Sequence, residues 1–325
     1  MKKYGIAIFV LAVIIISCSK SKNAPTPVQQ TPQDTLNNWK KITVADGKPI
    51  IDVWFTSAST GFIIVGNNII YQTKDGGNTW DSIPGSRTTF PLVYLFFQSP
   101  QFGYAIGPSF MEITPDGGQT WTQKTLPGQG ALNFSFVTPS TGFINDIYTG
   151  IYKTTDTGNT WINVYHDPNG QAQVYYSYFF NEMKGVAITG LGTVAKTYDG
   201  GVSWVQKATN IISPPVNGGD FNLIQFVDSL TGYFPCRYGL YKTTDGGSTW
   251  NNIFARGGRL NIIKALDANN AYYVSDSAIY KTTNGGQSWT EDCRLVSESF
   301  LDMSFIDVNT GWACTSKGSV LKLGQ

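Results

Sequence analysis

The stretch YKTTDGGSTW, residues 241–250, returns along the chain at a nearly constant interval. Its relatives are TKDGGNTW at 73–80, TPDGGQTW at 114–121, TTDTGNTW at 154–161, TYDGGVSW at 197–204 and TTNGGQSW at 282–289. The tryptophans Trp80, Trp121, Trp161, Trp204, Trp250 and Trp289 are 41, 40, 43, 46 and 39 residues apart. Six copies in register make this a repeat protein, and a period of 40–45 residues is that of one β-propeller blade. A second motif precedes each copy: an aromatic, a polar turn, a glycine or small residue, then an apolar residue. It occurs as Phe55…Gly61-Phe62, Phe97…Gly103-Tyr104, Phe136…Gly142-Phe143, Phe180…Gly185-Val186, Phe226…Gly232-Tyr233, Leu266…Ala271-Tyr272 and Phe305…Gly311-Trp312.

Each unit reads as four short strands, A to D. Strand A ends at the aromatic, B follows the glycine, C is the run typified by Ile151-Tyr152-Lys153-Thr154, and D follows the aspartate turn. The seventh unit stops at Gln325, where its aspartate turn would begin. Leu36-Asn37-Asn38-Trp39-Lys40 looks like the missing strand D, since Trp39 lies 41 residues before Trp80. The expected fold is an all-β, seven-bladed propeller over residues 36–325, closed by an N-terminal strand that completes the last blade and removes the open edges.

The turn residues are those a tight connection requires. Asp75, Asp116, Asp156, Asp199, Asp245 and, in the sixth copy, Asn284 can accept amides two or three residues on. The glycines supply positive φ, the Ser or Thr hydroxyl adds a local bond, and the tryptophan buries a large ring. Asn284 can accept the same bonds but cannot serve as an acid, which favours structure over catalysis. A calcium loop would need several carboxylates at alternating positions, and the turns carry one.

Charged residues make up 14% of the 325 and aromatics another 14%, a β-rich composition. The net charge of +1 gives no field for nucleic acid. Residues 1–17 read as a secretion signal: Lys2 and Lys3, an apolar run from Ile6 to Ile16 too short to span a bilayer, then Ser17-Cys18. The sequence around Cys18 resembles a bacterial lipobox, so Cys18 is the expected lipid attachment point and residues 18–35, with three prolines, a flexible tether. That implies an exported protein, lipid-anchored at the envelope, most simply the outer membrane, and otherwise free of membrane contact. Of the remaining cysteines, Cys236, Cys293 and Cys314, one pair, Cys293 with Cys314, could bridge; buried free thiols are the alternative.

The Ser/Thr-x-Asp-x-Gly-x-Thr/Ser-Trp signature resembles the Asp-box of bacterial neuraminidase-type repeats. Paired with the preceding Phe…Thr-Gly-Phe strand, it is most similar to the photosystem II stability/assembly-factor-like propellers, over about residues 36–325. The resemblance implies the propeller fold but hosts several functions, from sialidases and xyloglucan-cleaving glycosidases to sorting receptors and non-catalytic assembly factors.

A sialidase would need an early arginine cluster, and no arginine precedes Arg87. Other glycosidases need two carboxyl groups at a set separation. Glu112 falls in a strand C and Glu182 in an A–B turn, while Glu291 and Glu298 read as one loop that could pair with Asp167 or Asp276. One histidine, His166, excludes a multi-histidine metal site, and no cofactor is implied. Arg87, Arg256, Arg259 and Arg294 read as D–A loop residues and Arg237 as a B–C loop residue, all on the face opposite the Asp-boxes. With His166 they form the expected ligand rim, suited to carboxylates, sugars or an acidic protein segment. Lys153, Lys196, Lys242, Lys281 and Lys322 on strand C read as solvated. The first reading is a monomeric, non-catalytic propeller binding a protein or glycan, as an assembly or scaffold factor. The alternatives are a glycoside hydrolase or glycan-binding component of a surface sugar-uptake system, and a structural envelope protein.

Overall fold

A computed structural model describes residues 33–66, 68–84, 91–128, 131–146, 148–165, 173–189, 193–209, 224–236, 239–254, 261–275 and 277–324. Within them lie seven antiparallel sheets of four strands each, six of them built from consecutive strands. The seventh has the order Trp39–Thr43, Ser319–Leu323, Thr310–Thr315, Phe300–Asp307, so the N-terminal strand is its outer member. Its register pairs Trp39 with Leu323 and Thr43 with Ser319. We number the blades 1 to 7 from strand A at Ile50–Phe55 to strand A at Phe300–Asp307.

The closing strand is held by more than its ladder. Trp39 is 3% exposed, sits edge-on to Tyr272 and Phe305, and donates its indole N–H to Asp292 Oδ2 at 2.7 Å. Lys41 pairs with Asp34 at 3.1 Å and with Glu298, whose side chain is 6% exposed. Burial would lower the Lys41 pKa, but its bonds to Glu298 and Asp34 outweigh burial and leave it raised.

The A–B motif has a packing cause. Phe55, Phe97, Phe136, Phe179, Phe226 and Phe305 lie directly across the ladder from Gly61, Gly103, Gly142, Gly185, Gly232 and Gly311. Each ring covers its glycine so closely that a Cβ would fall within 2.9 Å of it, at Gly103 within 2.3 Å. The same rings stack on the preceding blade: Phe97 on Phe62 at 3.8 Å, Phe136 on Tyr104 at 4.3 Å, Phe179 on Phe143 at 3.4 Å, Phe305 on Tyr272 at 4.4 Å, and Phe55 on Trp312 at 3.4 Å across the closure. Glycine thus lets one aromatic serve two sheets. The register corrects the sequence reading by one residue in two blades: Phe179 rather than Phe180 opposes Gly185, and Ala265 rather than Leu266 opposes Ala271. In blade 6 both partners are alanine, so no ring needs room.

Cys293 and Cys314 do not bridge. Both are free and buried, in different core clusters. Burial pushes the Cys293 thiol up to about 12 and holds Cys314 well above its usual range, so both stay protonated.

Candidate functional site

Antiparallel order sends the A–B and C–D turns to one face and the B–C and D–A connections to the other. The first face is built by the Asp-boxes. In blade 1, Asp75 Oδ1 accepts the Thr79 amide at 2.9 Å and Oδ2 the Thr79 hydroxyl at 2.6 Å. The same bonds join Asp116 to Thr120, Asp156 to Thr160, Asp199 to Ser203 and Asp245 to Thr249. The amide common to all the copies is thus four residues on, where two left-handed residues such as Gly76 (φ 72°) and Gly77 (φ 89°) lengthen the turn, and Asp245 also accepts the Ser248 amide three residues on at 2.8 Å. Asn284 accepts the Ser288 amide and donates its own N–H to the hydroxyl.

A residue not singled out from the sequence is the keystone of each turn. The threonine ending strand C (Thr73, Thr114, Thr154, Thr197, Thr243, Thr282) is buried. Its hydroxyl donates to the Asp or Asn side chain and accepts the amide of the second glycine, 2.9 Å away at Gly77. Its constancy across the six copies was the available signal. Bonds from Thr79 hold the Asp75 carboxyl down at about 2, and bonds from Thr160 and Ser203 do the same for Asp156 and Asp199. Trp80, Trp121, Trp204 and Trp250 return their indole N–H to the second glycine carbonyl, and only Trp250 of the box tryptophans is fully buried. Trp161 and Trp289 cap the same turns without that bond.

The strand-C lysines are half-buried clasps, not solvated. Lys153 reaches the Glu182 carbonyl at 3.0 Å, Lys196 the Ser248 hydroxyl at 2.8 Å and Lys242 the Gly285 carbonyl at 2.7 Å, each on the next blade. Lys153, Lys242 and Lys281 also lie over Phe143, Tyr233 and Tyr272, and Lys322 lies against Gly76.

Strand-A side chains link blades 6, 7, 1 and 2 in succession. Lys264 of blade 6 pairs with Asp302 of blade 7 at 3.3 Å. Asp302 is hydrogen-bonded to Asp52 of blade 1, which accepts the Leu95 amide of blade 2. Asp52 is 3% exposed. Burial, then the Asp302 charge beside it, drives the Asp52 pKa well above its usual carboxylate value, so Asp52 holds its proton.

Arg87, His166, Arg237, Arg256, Arg259 and Cys18 lie outside the described residues. Arg294 is described, and it ends strand D of blade 6 rather than lying in a loop. Its guanidinium grips Glu291, with Nε 2.7 Å from Oε1, and contacts the Tyr280 hydroxyl at 3.4 Å. Its side chain keeps 39% exposure. The glutamates are not one loop: Glu291 is in that strand and Glu298 is buried against Lys41 and Thr315. Asp167 and Asp276 fall outside the described residues. Glu182 sits in the A–B turn of blade 4, where its carboxylate accepts the Thr141 hydroxyl of blade 3 at 2.8 Å. Glu112 is on strand C of blade 2, its pKa raised by burial. No group of three His, Cys, Asp or Glu among the described residues could hold a metal. No helix among them is long and apolar enough to cross a membrane.

The family model described as photosynthesis system II assembly factor YCF48 matches residues 31–177 and 171–299. The chain belongs to this family. A photosystem II assembly lipoprotein Ycf48 from Synechococcus sp. (strain CC9902) is 27% identical over 203 residues, 60% of this chain and 59% of its own. The chain spans less than two thirds of the length of the curated relatives it matches. Among solved structures, YCF48 bound to D1 peptide superposes with a TM-score of 0.68 at 20% identity, over 90% of this chain and 99% of that one. The Niastella koreensis GH74 enzyme superposes with a TM-score of 0.61 at 13% identity, over 87% of this chain and 53% of that one. Membership in the YCF48 family and the seven-bladed fold thus agree, while the two superpositions speak only to the fold.

Proposed function

We propose that this YCF48-family propeller is a non-catalytic binding protein, lipid-anchored at the cell envelope through Cys18, that holds a protein partner on its B–C and D–A face. The observation that carries this reading is the family match over most of the chain, whose relatives include a YCF48 with a peptide bound. The fate of the carboxyl groups supports it. The Asp-box aspartates are spent on their own turns, and Glu182, Glu291 and Glu298 on threonine, arginine and lysine partners. A glycosidase needs two carboxyl groups facing one bond. The partner is expected to present acidic groups to Arg87, His166, Arg237, Arg256, Arg259 and Arg294, because guanidinium groups pair with carboxylates in a bidentate fork.

The test is capture from detergent-solubilised envelopes, followed by direct binding of each captured protein to the purified chain. An Arg237→Ala/Arg256→Ala/Arg259→Ala variant should lose that binding by tenfold or more with unchanged melting. Retained binding discards the arginine rim. The GH74 likeness makes xyloglucan and muropeptide hydrolysis the necessary companion assay, and turnover by the purified chain would overturn the non-catalytic reading.

A further inference from the structure

The joint between blades 4 and 5 differs from its neighbours. At five joints a side chain of the preceding blade comes within 3.2 Å of where a Cβ on the second Asp-box glycine would stand. Ile83 packs on Gly118, Met111 on Gly158, Val164 on Gly201, Ile253 on Gly286 and Trp312 on Gly77. Ile83, Val164 and Ile253 occupy one position, the third residue after the box tryptophan. In blade 4 that position is Lys207, which is exposed and makes no hydrogen bond or ion pair to the described residues. Around Gly247 the preceding blade supplies only Val186, which stays 3.5 Å from where a Cβ would stand, beside Trp250 and Phe226 of blade 5 itself. A cavity of about 210 Å³ remains beside Gly247, walled by Val194, Tyr198 and Val205 and flanked by Lys196 and Lys207.

The surface around it carries several exposed apolar side chains. Tyr198 (63% exposed), Val202 (87%) and Val205 (67%) stand where blade 1 has Lys74, Asn78 and Asp81 and blade 5 has Thr244, Ser248 and Asn251. Met183 and Leu230, both more than half exposed, occupy the A–B turn position held elsewhere by Ser59, Gln101, Ser140 and Asn269. These two carbonyls accept the first Asp-box glycine amides of blades 4 and 5. Contiguous exposed apolar surface of this kind marks interaction sites. Beside it runs Val205–Ala208, the outer strand of its sheet, with all four residues exposed and one edge unpaired among the described residues.

We infer that the blade 4–5 joint is a second peptide-binding site, taking an extended segment that pairs with Val205–Ala208, plugs the cavity with a branched aliphatic side chain and sets a carboxylate against Lys207. Three observations fix that chemistry. The size and shape wanted are those of the residue missing here, an isoleucine or valine in three other joints. The charge wanted is negative: Lys207 has no acidic partner among the described residues, and its charge adds to burial in lowering the pKa of Lys196. The spacing wanted is two residues, because Val205 and Lys207 lie on one side of a strand whose neighbour pairs Lys196 with Val205 and Val194 with Lys207. The site runs from the blade 4 Asp-box along its outer strand and does not depend on the proposed arginine rim.

The probe is an array of five-residue peptides, Thr-Xaa-Thr-Zaa-Thr, with Xaa and Zaa varied, read by fluorescence polarisation on the full chain. The expected optimum is Ile, Val or Leu at Xaa with Asp or Glu at Zaa. Lys207→Ile, which restores the plug, should weaken that peptide at least tenfold while melting stays equal or rises. Lys207→Glu should shift the preference at Zaa to Lys or Arg. Absence of any aliphatic-plus-acid preference, or the same preference on Lys207→Ile, overturns the site. Lys207-dependent binding to anionic vesicles without peptide selectivity overturns it in favour of a membrane contact.

Discussion

Replacing Trp39 by alanine should cost about 4 kcal/mol, within the range of about 3–5 found for emptying a buried large aromatic site. The structure justifies the full value. The indole is 3% exposed, touches Tyr272 of blade 6 and Phe305 of blade 7, and bonds Asp292. No neighbour can swing in to fill the gap, since Phe305 is already stacked on Tyr272 at 4.4 Å. At about 2–4 °C per kcal/mol for a chain of this size class, melting should fall by about 8–16 °C. Guanidinium titration followed by far-UV circular dichroism reads the loss, with Ile162→Ala as control because Ile162 is 70% exposed on an outer strand. Amide exchange at Lys322 and Val320, which pair with Lys40 and Ile42, should accelerate in the same variant. A loss below about 1 kcal/mol, or one equal to that of Ile162→Ala, would refute the reasoning that the N-terminal strand is a core element of the ring.

Three further outcomes are expected. Asp52 has a raised native pKa, so its contribution to stability is complete below the unfolded value of about 3.9 and is lost as pH rises towards the native one; urea melts from pH 4 upwards should show Asp52→Asn gaining on the wild type by up to about 1.4 kcal/mol per pH unit, and parallel curves would reject the buried carboxyl pair. The Asp-box carboxylates run the other way: with native values near 2 for Asp75, Asp156 and Asp199, their stabilisation is present above about pH 4 and disappears on acidification through 2, so a triple Asn variant should show a flatter melting profile between pH 4 and 2 than the wild type. Gly103→Ala forces a methyl to within 2.3 Å of the Phe97 ring, which is pinned on Phe62, and should cost about 1–3 kcal/mol; a double-mutant cycle with Phe97→Ala, which recreates the Ala265–Ala271 pair of blade 6, should recover much of it, and strict additivity would reject the contact.

The blade count, the borrowed strand and the turn chemistry were legible because each is local or periodic. The interval between tryptophans sets the blade, and Trp39 falls one interval before Trp80. Register was less legible where two aromatics adjoin: Phe179 and Phe180 both suit the end of a strand, and only the glycine across the ladder distinguishes them. Contacts between blades were not legible at all. A lysine on strand C reads as solvated until the next blade is seen to offer it a carbonyl, as Gly285 does for Lys242. The chain Lys264–Asp302–Asp52 joins residues 250 positions apart and across the closure. The open joint at Gly247 shows only when Lys207 is compared with Ile83, Val164 and Ile253 at the same place in other blades. Of the arginine rim, Arg294 stands in a strand beside Glu291, a pairing that the three-residue spacing permits but does not demand.

Ring closure by the N-terminal strand is tested most directly by covalent trapping. Lys40 and Lys322 are cross-strand partners, and antiparallel partners sit about 4.5–5.5 Å apart at Cα, within reach of a disulfide. In a Lys40→Cys/Lys322→Cys variant, mild oxidation followed by peptide mapping should yield the cross-link as completely as a Lys242→Cys/Asn251→Cys control pair inside blade 5. Formation of the control bridge with position 40 unlinked, or linked to a residue outside the Ser319–Leu323 strand, would contradict the closure.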